Sequence, residues 1–170
     1  MKHPKSELYA GLIPTFEAKN ANGFATELEA LALSVENKEE LSVVTKNYKG
    51  LLEAINQNEI YVESKSNIFE NKILLVKSLL KIAAEEYAIG IIDGNIVNKF
   101  EYQDALGFTI VAKDILENAN SLSSSEDEKR SKIIEIIENL SPLWPSLVPT
   151  EKINGDAVRI LTAVNKIDSI

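Results

Sequence analysis

The chain has 170 residues, of which 45% are hydrophobic and 26% charged, a balance typical of a globular protein with a real core. It carries 26 acidic and 18 basic residues, a net charge of −8, and no cluster of Lys and Arg that would suit nucleic acid or an anionic membrane. It contains no cysteine, which excludes disulfides and thiolate metal sites. Its one histidine, His3, lies near a terminus expected to fray, which argues against zinc ligation by histidine and against a Ser–His–Asp triad.

The ends and the hydropathy of the chain bear on its location. No apolar run approaches the roughly 18 residues of a membrane span. The first six residues carry charge but are followed by no apolar region, so the sequence predicts no signal peptide. Two interpretations remain: the protein is cytoplasmic, or it is a mature or excised piece of an exported protein with an added Met.

Apolar residues recur at helical spacing along most of the chain. After an irregular start through Pro14, this spacing predicts helices over about residues 24–35, 37–56, 67–91, 98 onward, 125–139 and 156–167. On the third helix, Leu75, Leu79 and Ile82 are expected to extend the core face on one flank. We therefore predict an all-α fold, an antiparallel helical bundle with four main helices and short flanking helices, as a single domain over residues 1–170.

The starts of four predicted helices carry a capping-box pattern. In this pattern the side chain at the N-cap and a Glu three residues later satisfy backbone amides that have no partner within the helix. The four pairs are Asn37 with Glu40, Asn67 with Glu70, Asn98 with Glu101, and Ser125 with Glu128.

The segment 141–149 holds three prolines and cannot form a regular helix. Its tryptophan, Trp144, is expected to close one end of the bundle rather than to stack on a ligand. We therefore predict a loop that covers the core.

The pair Asp93-Gly94 connects the third and fourth predicted helices. Flanked by Ile91-Ile92 and Ile96-Val97, it is also a strong β-hairpin signal. The apolar period before it is 3.6 for several turns, however, and a capping box follows directly. We interpret it as a tight turn between antiparallel helices with a few extended residues, and we expect a positive φ at Gly94.

Three carboxylates near this turn occupy positions where apolar residues belong. Glu86 projects among the apolar residues of the third helix, Glu101 points into the apolar face of the fourth, and Asp104 points to the edge of that face. A carboxylate on an apolar face costs free energy unless it is capped, paired or bound to a cation. One interpretation is a hard-cation site, with Tyr102 as a phenolate ligand and Tyr87 close by. The other is structural: Glu101 caps its helix and Asp104 complements the helix dipole.

The same residues carry a resemblance to a known family. The run Glu86-Tyr-Ala, then Asp93-Gly-Asn-Ile-Val-Asn, then Glu101-Tyr-Gln-Asp-Ala-Leu-Gly-Phe108 resembles a segment in the extracytoplasmic helical region of bacterial Ftr-type high-affinity iron permease proteins. The similarity covers about residues 86–108, and the matching positions are Asp93, Gly94, Glu101 and Tyr102. The permease's own iron-binding glutamates lie in membrane helices without a counterpart here, so the resemblance itself assigns no iron ligand.

The resemblance implies a soluble helical part of an iron-uptake system, periplasmic or otherwise extracytoplasmic, with an iron permease or another envelope protein as partner. Together with the inward acids, it predicts a non-enzymatic domain that binds or relays iron through Glu86, Glu101, Asp104 and Tyr102. The alternative is a structural or docking module of a larger membrane or envelope protein, with no metal site. A di-iron enzyme is disfavoured, because its Glu-x-x-His signature cannot be built with histidine at position 3 alone.

Overall fold

The computed structural model describes residues 9–59, 61, 68–120, 122–149 and 152–170, so the predictions for His3 and Asn67 lie outside the described residues. Within these ranges the chain forms seven α-helices and very little strand, which confirms the all-α class. The chain divides into two compact units, Met1–Glu63 and Ser64–Ile170. The single domain over residues 1–170 stays a prediction.

The first unit contains three helices. They are α1 (Ile13–Lys19), α2 (Ala25–Glu36) and α3 (Leu41–Glu59), preceded by a 3-10 turn at Tyr9–Gly11. The chain becomes helical earlier than predicted, because Pro14 lies in the first turn of α1, where its missing N–H leaves no helical bond unmade. Asn58 links the end of α3 to the turn before α2: its side chain accepts from the Gly23 amide at 2.9 Å and donates to the Gly23 carbonyl at 3.0 Å.

The second unit is a bundle of four helices. These are α4 (Phe69–Gly90), α5 (Lys99–Glu117), α6 (Ser124–Glu138) and α7 (Ala157–Asp168), with a 3-10 turn at Ser141–Leu143. The helix α4 packs against both α5 and α7, and α6 packs against α5 and α7. All four contribute to one core, whose fully buried side chains include Val76, Leu80, Leu116, Ile133 and Ile160.

The flank of α4 differs from the prediction. Leu79 packs against the core and is partly buried, but Leu75 and Ile82 are 49% and 38% exposed. The helical spacing placed them correctly beside the core face; what it could not show is that the neighbouring helices cover α4 from the other sides.

A minimal hairpin joins α4 to α5. Its strands are β1 (Ile91–Ile92) and β2 (Asn95–Ile96), and they pair antiparallel. Asp93 and Gly94 form the turn with φ values of +51° and +77°, the positive pair that a type I′ turn requires. The expected positive φ at Gly94 is therefore confirmed. The hairpin signal and the helical signal are both correct, since the strands have two residues each and the helices resume at once.

The predicted N-caps have different outcomes. Asn98 caps α5, because its side-chain oxygen accepts from the Phe100 amide at 3.1 Å. Asn37 lies at the opposite end of a helix from the one predicted: it is the C-cap of α2, and its own amide donates to the Leu33 and Val35 carbonyls. The helix α3 begins at Leu41 instead.

The capping box of α6 lies two residues before the predicted pair Ser125 and Glu128. Ser123 is the N-cap, and Glu126 completes the box by accepting from the Ser123 amide at 2.8 Å. The serine-rich segment offers several residues with the right spacing to a glutamate, so spacing alone does not select one of them.

Candidate functional site

The predicted site residues lie at the end of the bundle where α4 leads into the hairpin and α5 begins. Gly90, the last residue of α4, brings the two helices into close approach: a Cβ built there would lie 2.6 Å from the Tyr102 backbone nitrogen and 3.1 Å from the Asn98 carbonyl oxygen. The Gly90 carbonyl accepts from the Val97 amide at 2.9 Å and from the Asn98 amide at 3.2 Å. The absence of a side chain at Gly90 therefore allows the end of α4 to approach the start of α5 this closely.

The three predicted acids have different environments. Glu101 is buried, with 7% of its surface exposed, Glu86 is half-buried, and Asp104 is exposed. One carboxylate oxygen of Glu86 and one of Glu101, Oε2 in each, is shielded from solvent. All three acids take part in hydrogen-bond or electrostatic interactions within the protein. The inward direction predicted for Glu86 and Glu101 thus agrees with the structure, and Asp104 lies at the surface.

The structure does not gather these acids into one cluster. Among the described residues, which include Glu86, Glu101 and Asp104, no group of three or more His, Cys, Asp and Glu side chains is placed to hold a metal ion. The helical spacing put Asp104 at the edge of the apolar face, and that edge is open to solvent. Two inward carboxylates remain at this end of the bundle, Glu86 on α4 and Glu101 on α5.

Tyr102 is fully buried, and its hydroxyl is hydrogen-bonded. Its hydroxyl donates to the Ser146 carbonyl at 2.8 Å, and burial raises the pKa of its phenol above the ordinary value of 10.0. Cation binding by Tyr102 as a phenolate would require loss of the phenolic proton and, with it, of this hydrogen bond. Burial opposes the loss of the proton, because it disfavours the phenolate.

Three aromatic side chains, Tyr87, Tyr102 and Trp144, form a cluster at this end, which we call the aromatic cap. The Tyr87 and Trp144 rings meet edge to face with centroids 5.4 Å apart, and the Tyr87 and Tyr102 centroids are 6.1 Å apart. Trp144 Nε1 donates to the Tyr102 carbonyl at 3.1 Å, and the Tyr87 hydroxyl donates to the Leu143 carbonyl at 3.3 Å. Trp144 therefore closes the bundle as its position in the loop predicted.

The loop 141–149 contributes more than the sequence indicated. Besides its bond from Tyr102, it receives a hydrogen bond from Gln103 Nε2 to the Leu147 carbonyl at 3.1 Å. These contacts join residues 42–44 positions apart in the chain. No local pattern predicts them, because backbone carbonyls of a loop carry no residue-specific signal.

Burial of the aromatic cap predicts a loss of stability at alkaline pH. Burial, aided by the charge that Tyr102 would carry, raises the pKa of Tyr87 from 10.0 to about 12, although Arg159 acts in the opposite direction. Because the pKa of Tyr87 is higher in the folded than in the unfolded protein, the neutral phenol contributes to stability. This contribution is complete below pH 10 and is lost as the pH rises through about 12. We expect the free energy of unfolding, measured by urea titration at several pH values in this range, to fall more steeply with pH for the wild type than for Tyr87→Phe. An equal decline would contradict the assignment to Tyr87.

Comparison with known proteins defines the class of this chain. The family of the iron permease-associated 4-helix bundle domain matches residues 63–170. This range contains α4 to α7, and it extends the resemblance seen over residues 86–108 to the whole second unit. No curated protein and no solved structure gives a significant match.

The chain therefore belongs to the iron permease-associated four-helix bundle domain family. Along the described ranges, none of the helices combines the length and the apolar character that crossing a membrane requires. The helices α1 to α3 of the first unit lie before the matched residues.

Proposed function

We propose that this chain is a non-enzymatic module of an iron-uptake system that acts outside the cytoplasm, beside an iron permease or another envelope protein. We further propose that Glu86 and Glu101 hold or pass the iron. Membership of an iron permease-associated family supports the setting. The main support for iron binding at these two residues is that one carboxylate oxygen of Glu86 and one of Glu101 are shielded from solvent. The two residues lie on adjacent helices at the same end of the bundle.

The ligand chemistry favours transfer over storage. Iron in its ferric form is a hard cation and prefers oxygen ligands such as carboxylates. Two carboxylates cannot complete its coordination, so the remaining positions would be filled by water or by the chelator that delivers the ion. Asp104 lies three residues after Glu101 on the same helix and is exposed, which suits a first contact for the incoming cation. Tyr102 enters the site only if its bond to Ser146 opens.

Thermal melts with and without ferric citrate test this proposal. For the wild type, we expect stabilisation of about 2.7 kcal/mol when free ferric citrate is roughly 100 times its dissociation constant. Glu86→Gln and Glu101→Gln should remove this iron-dependent shift. On this proposal Glu86→Gln relieves the repulsion between two carboxylates that share an ion, so the iron-free protein should be as stable as before or more stable.

The matched control for these variants is Glu85→Gln. Glu85 precedes Glu86 in the helix but is exposed, so its variant should respond to iron as the wild type does. Sodium citrate without iron controls for the chelator. If the wild-type melting temperature does not rise with ferric citrate, the iron site is refuted, while membership of the family is unaffected.

A second candidate function is docking without iron. It is favoured by the loop 141–149, which is held by hydrogen bonds from Tyr102 and Gln103 and yet exposes Leu147 and Val148 by 63% and 59%. Apolar side chains on a firmly held loop suit a contact with another protein. In this case Glu86→Gln and Glu101→Gln should each destabilise the protein, with or without iron, by about 1–3 kcal/mol, because each loses charged interactions in a shielded place.

A further inference from the structure

The sequence contains two Asn-Gly pairs, Asn22-Gly23 and Asn154-Gly155, and the fold gives them different surroundings. An asparagine followed by glycine is open to deamidation, because glycine has no side chain to hinder the attack of its nitrogen on the asparagine side chain. Both asparagines are exposed, and neither lies in a helix or a strand. Local sequence alone therefore predicts similar reactivity for the two.

We propose that Asn154 is a site of spontaneous deamidation in the folded protein, and that Asn22 is protected from the same reaction. The Gly155 nitrogen attacks Asn154 Cγ, the Cγ–Nδ2 bond breaks, and the amide proton leaves with Nδ2 as ammonia. Water then opens the cyclic imide. Its addition at Cγ gives aspartate, and its addition at the main-chain carbonyl carbon of residue 154 gives isoaspartate. Either product adds one negative charge, and neither step depends on iron.

The Gly23 amide is held by a buried side chain. It donates to Asn58 Oδ1 at 2.9 Å, and the Gly23 carbonyl accepts from Asn58 Nδ2 at 3.0 Å. Asn58 is 9% exposed and also donates to the Ala54 carbonyl at 2.8 Å, which fixes its amide group on α3. Attack by the Gly23 nitrogen requires the loss of its hydrogen bond to Asn58, and this loss raises the barrier.

The Gly155 amide lies in the short connection that precedes α7. Among the residues that the structure describes, it donates no hydrogen bond. Its neighbours are bonded elsewhere: the Asp156 carboxylate accepts from the Val158 amide at 3.0 Å, and the Ile153 amide donates to the Gly94 carbonyl at 2.9 Å. The Gly155 nitrogen is thus available for attack without the loss of a hydrogen bond to these residues.

Charged side chains beside the two pairs have opposite signs. The Arg159 guanidinium lies close to Gly155, since a Cβ built there would be 3.4 Å from Nη1. Glu27 lines the same cavity as Asn22 and Gly23. The attacking nitrogen must lose its proton, and a positive charge nearby favours the resulting anion, whereas a negative charge disfavours it. Charge and hydrogen bonding therefore act in the same direction.

Peptide mapping by mass spectrometry tests the proposal on the full chain, aged in its folded state at mildly alkaline pH. Tryptic peptides 20–38 and 153–159 carry the two asparagines separately, and fragment spectra assign the modified residue. We expect Asn154 to deamidate at least about tenfold faster than Asn22, because attack at Asn22 must first break a hydrogen bond. Equal rates, or a faster reaction at Asn22, would overturn the proposal.

The same incubation in guanidinium chloride separates the effect of the fold from that of the local sequence. Unfolding releases the Gly23 amide from Asn58, so the two asparagines should then react at comparable rates. A preference for Asn154 of the same size in denaturant would show that the fold is not its cause, and the proposal would fail.

Asn58→Ala removes the acceptor of the Gly23 amide. It should raise the rate at Asn22 toward the value in denaturant and leave Asn154 unchanged. The matched control is Gln57→Ala: Gln57 is exposed and lines the same cavity, so its variant should keep the wild-type rate at Asn22. If Asn58→Ala is folded by circular dichroism and Asn22 stays slow, the proposal is refuted. If Asn58→Ala does not fold, the wild type with and without denaturant decides alone.

Discussion

Replacing Gly90 with alanine should lower the free energy of unfolding by about 2–3 kcal/mol, because the added methyl group has no room. Its Cβ would lie 2.6 Å from the Tyr102 nitrogen, 3.0 Å from the Tyr102 Cα and 3.1 Å from the Asn98 carbonyl oxygen. All three are backbone atoms and cannot rotate away. The start of α5 would have to shift, which disturbs the hydrogen bonds that the Gly90 carbonyl accepts from Val97 and Asn98.

The matched control is Gly107→Ala in the middle of α5. A Cβ at Gly107 meets nothing within 4 Å, so alanine there should stabilise the protein by about 0.5–1 kcal/mol through its higher helix propensity. Urea unfolding followed by circular dichroism at the helix band measures both variants. If Gly90→Ala proves no less stable than Gly107→Ala, the close approach of α4 and α5 is wrong.

Replacing Gly94 with valine should destabilise the protein by about 3 kcal/mol. Two effects add. A β-branched residue is strained at the observed φ of +77°. In addition, its Cβ would lie 2.8 Å from the Ile153 carbonyl oxygen, where the Gly94 carbonyl accepts a hydrogen bond from the Ile153 amide at 2.9 Å. The φ alone predicts about 1–2 kcal/mol, and the contact with Ile153 raises this value.

The neighbouring substitution Asn95→Ala provides the comparison. Asn95 is exposed, and its side chain makes only long hydrogen bonds to the Ile92 and Asp93 carbonyls, at 3.5 and 3.3 Å. It should therefore change stability by less than about 1 kcal/mol. Similar midpoints for Gly94→Val and Asn95→Ala in urea would show that neither the turn nor the contact with Ile153 constrains residue 94.

The sequence by itself determined the helices of the second unit, the turn between α4 and α5, and the inward direction of Glu86 and Glu101. Apolar spacing over several turns leaves little choice of structure for residues 69–90 and 99–117, and Asp-Gly specifies a turn with positive φ wherever it connects two elements. The burial of Glu101 also followed from spacing, since its position on the helix relative to Ala105 and Ala112 is set by helical geometry.

Only the tertiary structure decided which flanks are covered and which caps are used. Whether Leu75, Ile82 and Asp104 meet solvent depends on where the other helices lie, and that information is not contained in the periodicity of one helix. The contacts of the aromatic cap likewise depend on a loop more than 40 residues away in the chain. Local spacing specifies the angle of a side chain around its own helix, whereas burial depends on a second surface brought to that angle by long-range packing.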